Sequence, residues 1–340
     1  MTLFQRTLDG QSTPTPPIWM MRQAGRYHSH YQALRRRHSF EAVCRTPHVA
    51  AEAALGPIRD FDFDAAILFS DLLFPLEALG MGLTYKNGPP QLDGPLTERR
   101  IRRFRTLDAA TARLAFQGEA VAATRALLPA DKGLIGFVGG PWTLFVYAVE
   151  GSHTGPLSKA KSSPALYRAF AARMVPVIRQ AIRMQLDAGA DVVMVLDTAA
   201  GDVPYSEFNS LVAKDLARLA AVRPGKVGYY AKGAHPSQFT GDAFAGAPWA
   251  GLGVDGRWDM AAALRRRPVP GFVQGNFDPA LLMLTGRDLR AALHRFLDPL
   301  RALTPRQRRG WICGLGHGIL PGTPEDSIRT FITVTRQVMR

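Results

Sequence analysis

The sequence predicts an α/β fold, a single (β/α)8 TIM barrel spanning residues 1–340. Three observations lead there. Eight apolar runs of strand length recur along the chain, and most are continuously apolar, as strands covered on both faces are. Stretches with helical periodicity and helix-start chemistry lie between them. No stretch reads as a domain linker. Eight alternations favour a barrel, and an open doubly wound sheet is the structural alternative.

The runs are 17–22 (PIWMMR), 65–71 (AAILFSD), 134–140 (LIGFVGG), 191–198 (DVVMVLDT), 226–233 (KVGYYAKG), 249–255 (WAGLGVD), 271–277 (GFVQGNF) and 311–318 (WICGLGHG). Helix starts follow Ser163-Pro164, Asp278-Pro279 and Thr323-Pro324-Glu325-Asp326, the last opening an amphipathic run to Arg340. Ser, Thr or Asp at the N-cap satisfies orphan N–H groups, and Pro at N1 presets φ. Segment 168–189 reads as a long helix with a kink expected at Pro176, and Gly189 lies just past its end. Loop 85–100, rich in Gly, Pro and charge, is expected to be a surface excursion.

Composition narrows the class. The chain is 46% hydrophobic and 21% charged, with a mean hydropathy of −0.06. These values exclude disordered, collagen-like and membrane-embedded chains. Lys and Arg number 42 against 28 Asp and Glu, leaving a net charge of +14. That excess points to nucleic acid, an anionic membrane face or a polyanionic small molecule. The arginine clusters 35–37, 99–103, 265–267 and 306–309 lack aromatic interleaving and read as solvated outer faces, so no nucleic-acid partner is expected. Two cysteines, Cys44 and Cys313, make no disulfide framework and fit a reducing compartment. The start of the chain has no basic flank followed by an apolar core, and no apolar run approaches about 18 residues. A cytoplasmic chain without membrane insertion is therefore expected. CxxC, HExxH and Cys/His clusters are absent, so no metal site is expected, and there is no P-loop and no Gly-x-Gly-x-x-Gly opening a helix.

In a barrel the chemistry sits at the strand C-terminal ends. Arg22 and Arg26 flank Gly25 after the first run, and guanidinium forks suit carboxylates. Asp71 lies in apolar sequence, either as a cap or buried ion pair, or as a carboxylate that stabilises developing positive charge. Gly139-Gly140 precede an apolar helix whose N–H groups are able to bind an anion, and that helix carries Tyr147. His317 sits between two glycines at the last strand end. The other histidines, His28 and His153 among them, have no evident partner in the sequence.

MRQAGRY at 21–27, FSD at 69–71, GGPWTL at 139–144 with Tyr147 and Glu150-Gly151, VQGNFDP at 273–279 and GLGHGILPGTP at 314–324 occur in order along almost the whole chain. Together they resemble the uroporphyrinogen decarboxylase family. The resemblance implies a single (β/α)8 barrel acting as a homodimer, without metal or organic cofactor. It implies uroporphyrinogen III as substrate, whose four acetate side chains lose carboxyl groups to give coproporphyrinogen III, on the route to haem and chlorophyll. By motif position it makes Asp71, Arg22, Arg26, Tyr147 and His317 catalytic. The substrate-binding set it implies adds Gln23, Ala24, Gly25 and Thr198. The loop EGSHTGPLSKAKSS at 150–163 departs from the family's more Gly/Ser-rich run, with His153 and Pro156.

Two other readings compete. Corrinoid-linked methyltransferases share the barrel, but they hold zinc through a His-x-Cys pair that this sequence lacks. A basic nucleic-acid-binding scaffold would explain the charge and leave the five motif residues without a role.

Overall fold

The computed structural model describes residues 1–85, 90–267 and 270–340. Nine strands are present among them: β1 (Ala65–Ile67), β2 (Leu83–Thr84), β3 (Gln91–Leu92), β4 (Gly133–Gly139), β5 (Val192–Leu196), β6 (Val227–Tyr230), β7 (Gly251–Gly253), β8 (Phe272–Phe277) and β9 (Trp311–Leu315). Seven of them form one all-parallel sheet in the order β1-β4-β5-β6-β7-β8-β9, so each strand pairs with the next of the series along the chain. Every residue of β4 through β9 is buried. This is why those runs are apolar without alternation: helices cover one face and the partner side chains of the curled sheet cover the other.

The first predicted strand, 17–22, is a correction. Only Ile18 makes a bridge, parallel to Cys313 in β9, and the ladder does not close into a barrel. The reason is local. Pro17 has no N–H to donate. The Ile18 N–H is taken by the Asp64 carboxylate at 2.8 Å instead of by a strand carbonyl. The chain then turns at Met21. The segment nevertheless bonds on both sides. The Cys313 and Trp19 N–H groups donate to the Pro17 and Cys313 carbonyls, and the Asp64 N–H donates to the Ile18 carbonyl. A Cβ at position 314 would lie 2.0 Å from the Trp19 carbonyl oxygen, so only glycine lets this segment approach β9.

Most helices fall where expected. The long helix runs unbroken from Pro164 to Asp187 through Pro176, and Gly189 adopts φ 110° beyond its end. Asp278 caps the 3-10 turn Pro279–Met283 by accepting the Ala280 N–H. Two caps differ from expectation. Ser163 makes no side-chain cap bond. Thr323 donates to the Leu320 carbonyl at 2.9 Å, so the last helix starts at Glu325 and ends at Val338. Loop 85–100 is also more structured than expected. Gln91–Leu92 pairs back on Leu83–Thr84 and Leu96 is buried, while residues 86–89 lie outside the described set.

One contiguous core binds sheet to helices. Trp19, Trp142, Trp311, Tyr167 and Tyr229 are among its largest fully buried side chains, and each such side chain stabilises the fold by roughly 2–3 kcal/mol.

Candidate active site

At the C-terminal edge of the sheet, the turn after Trp19, the β1 and β4 loops and the β9 end bring a cluster of polar side chains together around Arg22, called the cleft below. Arg22 stands at its centre. Its backbone is left-handed, with φ 61°. Its stem lies against Gly318, where a Cβ would sit 2.4 Å from Arg22 Cδ. The guanidinium end is exposed, and its charge acts on Asp71, Tyr147, His153, Tyr230 and His317.

Asp71 is half-buried four residues beyond β1. Its Oδ1 accepts the Leu73 N–H at 2.8 Å. Burial raises its pKa, and the Leu73 N–H, the Tyr85 hydroxyl and Arg22 oppose the rise. Tyr85 stands beside this carboxylate with its buried hydroxyl at no one's full hydrogen-bonding geometry. A carboxylate with one strong internal bond retains acceptor capacity for a ligand N–H.

His317 is fixed by Tyr230. The Tyr230 hydroxyl lies 2.8 Å from the Gly316 carbonyl and 3.0 Å from His317 Nδ1. A carbonyl only accepts and a phenol has one proton, so that proton goes to Gly316. His317 Nδ1 then carries hydrogen and Nε2 is bare. Burial first, then the charges of Arg22 and Lys232, lower its pKa to about 4. His317 is thus neutral at pH 7, and its Nε2 accepts from a donor group and does not act as a cation toward a carboxylate.

Tyr147 is half-buried on the helix Pro141–Glu150. Its hydroxyl is 2.6 Å from His153 Nδ1. Burial first, then the Asp71 charge, pushes the phenol up to about 12. His153 is lowered by burial, Arg22 and Lys232, so it too is neutral at pH 7.

The remaining sequence candidates divide. Thr198 is half-buried at the start of the 3-10 turn Thr198–Asp202. Ala24 and Gly25 form the half-buried turn beside Arg22. Gln23 is fully buried and donates to the Ala65 carbonyl at 3.0 Å, away from the cleft. Arg26 is exposed, and its charge falls on Tyr31. The helix start after Gly139-Gly140 is already filled: Asp197 accepts the Thr143 N–H at 2.7 Å. An external anion therefore does not bind there. Asp255 is likewise occupied, by the Gly233 and Arg257 N–H groups. His28 is a core histidine, 2.7 Å from Asp60.

Three groups near Arg22 were not singled out from the sequence: Tyr85, His153 and Tyr230, whereas Lys232 was legible at a strand end among the groups able to bind an anion. Tyr230 stood in the same run, which was a usable signal. His153 gave none, because a pair six residues apart matches no helix or strand period. A separate cavity of about 330 Å³, lined by Trp258, Met260, Phe277, Leu281, Phe296 and Leu300, contains none of these side chains. Among the described residues, no group of three or more His, Cys, Asp or Glu is placed to hold a metal ion.

The fold is an α/β scaffold with these polar side chains gathered at the strand carboxyl ends, where barrels of this class carry their chemistry. The chain belongs to the uroporphyrinogen decarboxylase family: residues 1–338 match the family described as Uroporphyrinogen decarboxylase (URO-D). It is 34% identical to a uroporphyrinogen decarboxylase of Rhodospirillum rubrum, over 98% of this chain and 96% of that protein. It is also 34% identical to one of Chloroflexus aurantiacus, over 97% of this chain and 94% of that protein. Among solved structures, a methyltransferase from Methanosarcina mazei superposes with a TM-score of 0.74 at 17% identity, covering 100% of both chains. A B12-independent methionine synthase from Shewanella sp. W3-18-1 gives 0.55 at 11% identity, covering 96% of this chain and 94% of that one. At such identities the likeness is one of fold alone.

Proposed function

We propose that this cleft decarboxylates uroporphyrinogen III to coproporphyrinogen III, releasing four CO2 as a carboxy-lyase of tetrapyrrole biosynthesis. The observation that carries the reading is Asp71, a half-buried carboxylate facing the cleft beside Arg22. Losing CO2 from an acetate on a pyrrole leaves an unstable carbanion. Protonating the ring first makes the ring itself the electron sink for the C–C pair. Once CO2 has left, the exocyclic methylene takes a proton and the ring returns its own, so each acetate becomes a methyl with net uptake of one proton from solvent and no organic cofactor. The protonated ring is cationic, and the fixed Asp71 carboxylate facing the pyrrole N–H groups stabilises it. Arg22 and Arg26 bind substrate carboxylates. The 22–26 turn otherwise contributes backbone, since the Gln23 side chain faces β1. His317 accepts a hydrogen bond at Nε2, and Tyr147 and Thr198 complete the wall.

The working architecture is a single (β/α)8 barrel domain over 1–340, with segment 17–19 in the place of the eighth strand. The hydrogen bonds of Pro17, Ile18 and Trp19 to Cys313 and Asp64 support that closure. Family membership supports a cytoplasmic homodimer. No described helix is long and apolar enough to cross a membrane.

The test is direct. Purified protein, without added cofactor, is given uroporphyrinogen generated under anaerobic reducing conditions. Coproporphyrinogen detected by fluorescence chromatography after oxidation is the expected result, and absence of product overturns the reading.

A further inference from the structure

The loop after the helix Pro141–Glu150 is built to return a side chain to the cleft. In an unbroken α-helix, a residue six positions beyond Tyr147 would point roughly 120° away from it and stand about 9 Å further along the axis. The helix instead ends at Gly151, whose φ is 79° and whose N–H caps the Tyr147 carbonyl. That left-handed step, which glycine adopts without strain, reverses the chain. His153 is thereby carried back over Tyr147, with ring centroids 5.3 Å apart and Nδ1 2.6 Å from the hydroxyl. Both rings are half-buried, and Arg22 acts on both. The pair therefore belongs to the polar cluster around Arg22.

A tyrosine hydroxyl rotates freely unless a partner holds it, and a cleft that places substrate carboxylates against Arg22 needs its neighbouring dipoles fixed beforehand. We propose that His153 is a positioning residue for decarboxylation: its Nδ1 fixes the direction in which Tyr147 presents its hydroxyl to the substrate. The proposal rests on the decarboxylase reading above. It assigns His153 no contact with the reacting atoms. What it requires is a hydrogen-bonding atom at the Nδ1 position.

That requirement separates positioning from loop packing. An asparagine side chain places its amide near the Nδ1 position, a glutamine places it near Nε2, and an alanine places nothing. The His153→Asn, His153→Gln and His153→Ala proteins are assayed for uroporphyrinogen decarboxylation beside the parent, with thermal melting measured on each. The expected result is a kcat within about threefold of the parent for Asn and about tenfold lower for Gln and Ala, with KM changed less than about twofold in all three. Parent-like kcat in all three variants overturns the proposal. So does an equal fall in all three, or a fall in kcat that follows a fall in melting temperature, because each makes His153 a structural loop residue. An inactive parent is a separate outcome, which overturns the decarboxylase reading and the proposal with it.

Discussion

Asp71 and Asp197 look alike in the sequence and do opposite work in the fold. Each follows an apolar run at a strand end, and burial raises the pKa of each. Asp197 is fully buried and spends its oxygens inside the protein. It accepts the Thr143 N–H at 2.7 Å and faces the Tyr229 hydroxyl at 3.4 Å. Asp71 is half-buried, takes a single backbone N–H, and opens onto Arg22. The difference teaches that a carboxylate at a strand end is a site residue only where the fold leaves it acceptor capacity and an open side. Apolar sequence context is common to both cases.

The largest expected effect breaks the comparison if it falls on the wrong residue. Asp71→Asn removes the charge proposed above to stabilise a cationic ring and keeps the shape. Its kcat is expected to fall by about 10²–10³, with a melting temperature equal to or slightly above that of the parent, since burial disfavours the charge. Steady-state kinetics and a thermal melt decide it. Near-normal turnover would remove Asp71 from its role.

Asp197→Ala is expected to do the reverse. It leaves the Thr143 N–H without its partner and opens space in the core, at a cost of about 2–4 kcal/mol in urea unfolding. Residual folded protein should keep its kcat. Gly140→Ala reports on the same contact from the other side. A Cβ at position 140 would sit 2.2 Å from Asp197 Cγ, and the carboxylate cannot yield without losing its cap, so about 1–3 kcal/mol is expected. A kcat that collapses in either variant with stability intact would make Asp197 the functional carboxylate.

Much of this division was legible in the residues, and the parts that were not share a cause. Continuous apolar runs marked β1 and β4 through β9, because burial on both faces leaves no room for polar alternation. The run at 17–22 carried the same signal. Its partner, however, is the Asp64 side chain, distant in sequence, and no period reveals that. Arg22, Asp71, Tyr147 and His317 were identified from motif positions, and the structure brings them together around one guanidinium. Gln23 stood in the same motif and faces inward, because its amide satisfies the Ala65 carbonyl. His153 was invisible because one left-handed glycine, and not a helix period, sets its position.

The smallest effect is a pair of opposing slopes in the dependence of stability on pH. Asp197 titrates near 6 when folded, against an ordinary 3.8. Between those values the folded state holds a proton that the unfolded chain has lost, so this group makes stability fall as pH rises. Asp71, also raised, acts in the same direction. His317 is lowered to about 4 from 6.5. Over that window the unfolded chain holds the proton, so this group makes stability rise with pH. The Asp197 and His317 contributions are each worth about 1–2 kcal/mol between roughly pH 4.5 and 6 and are opposite in sign. Removing one exposes the other. Urea unfolding of Asp197→Asn is expected to show stability climbing with pH relative to the parent over this range, while His317→Asn is expected to show it declining. Parallel curves for all three proteins would mean that neither group changes protonation on unfolding in that window. The internal role of Asp197 would then rest on its hydrogen bonds alone, without the cost of a buried charge that sets it apart from an ordinary helix cap.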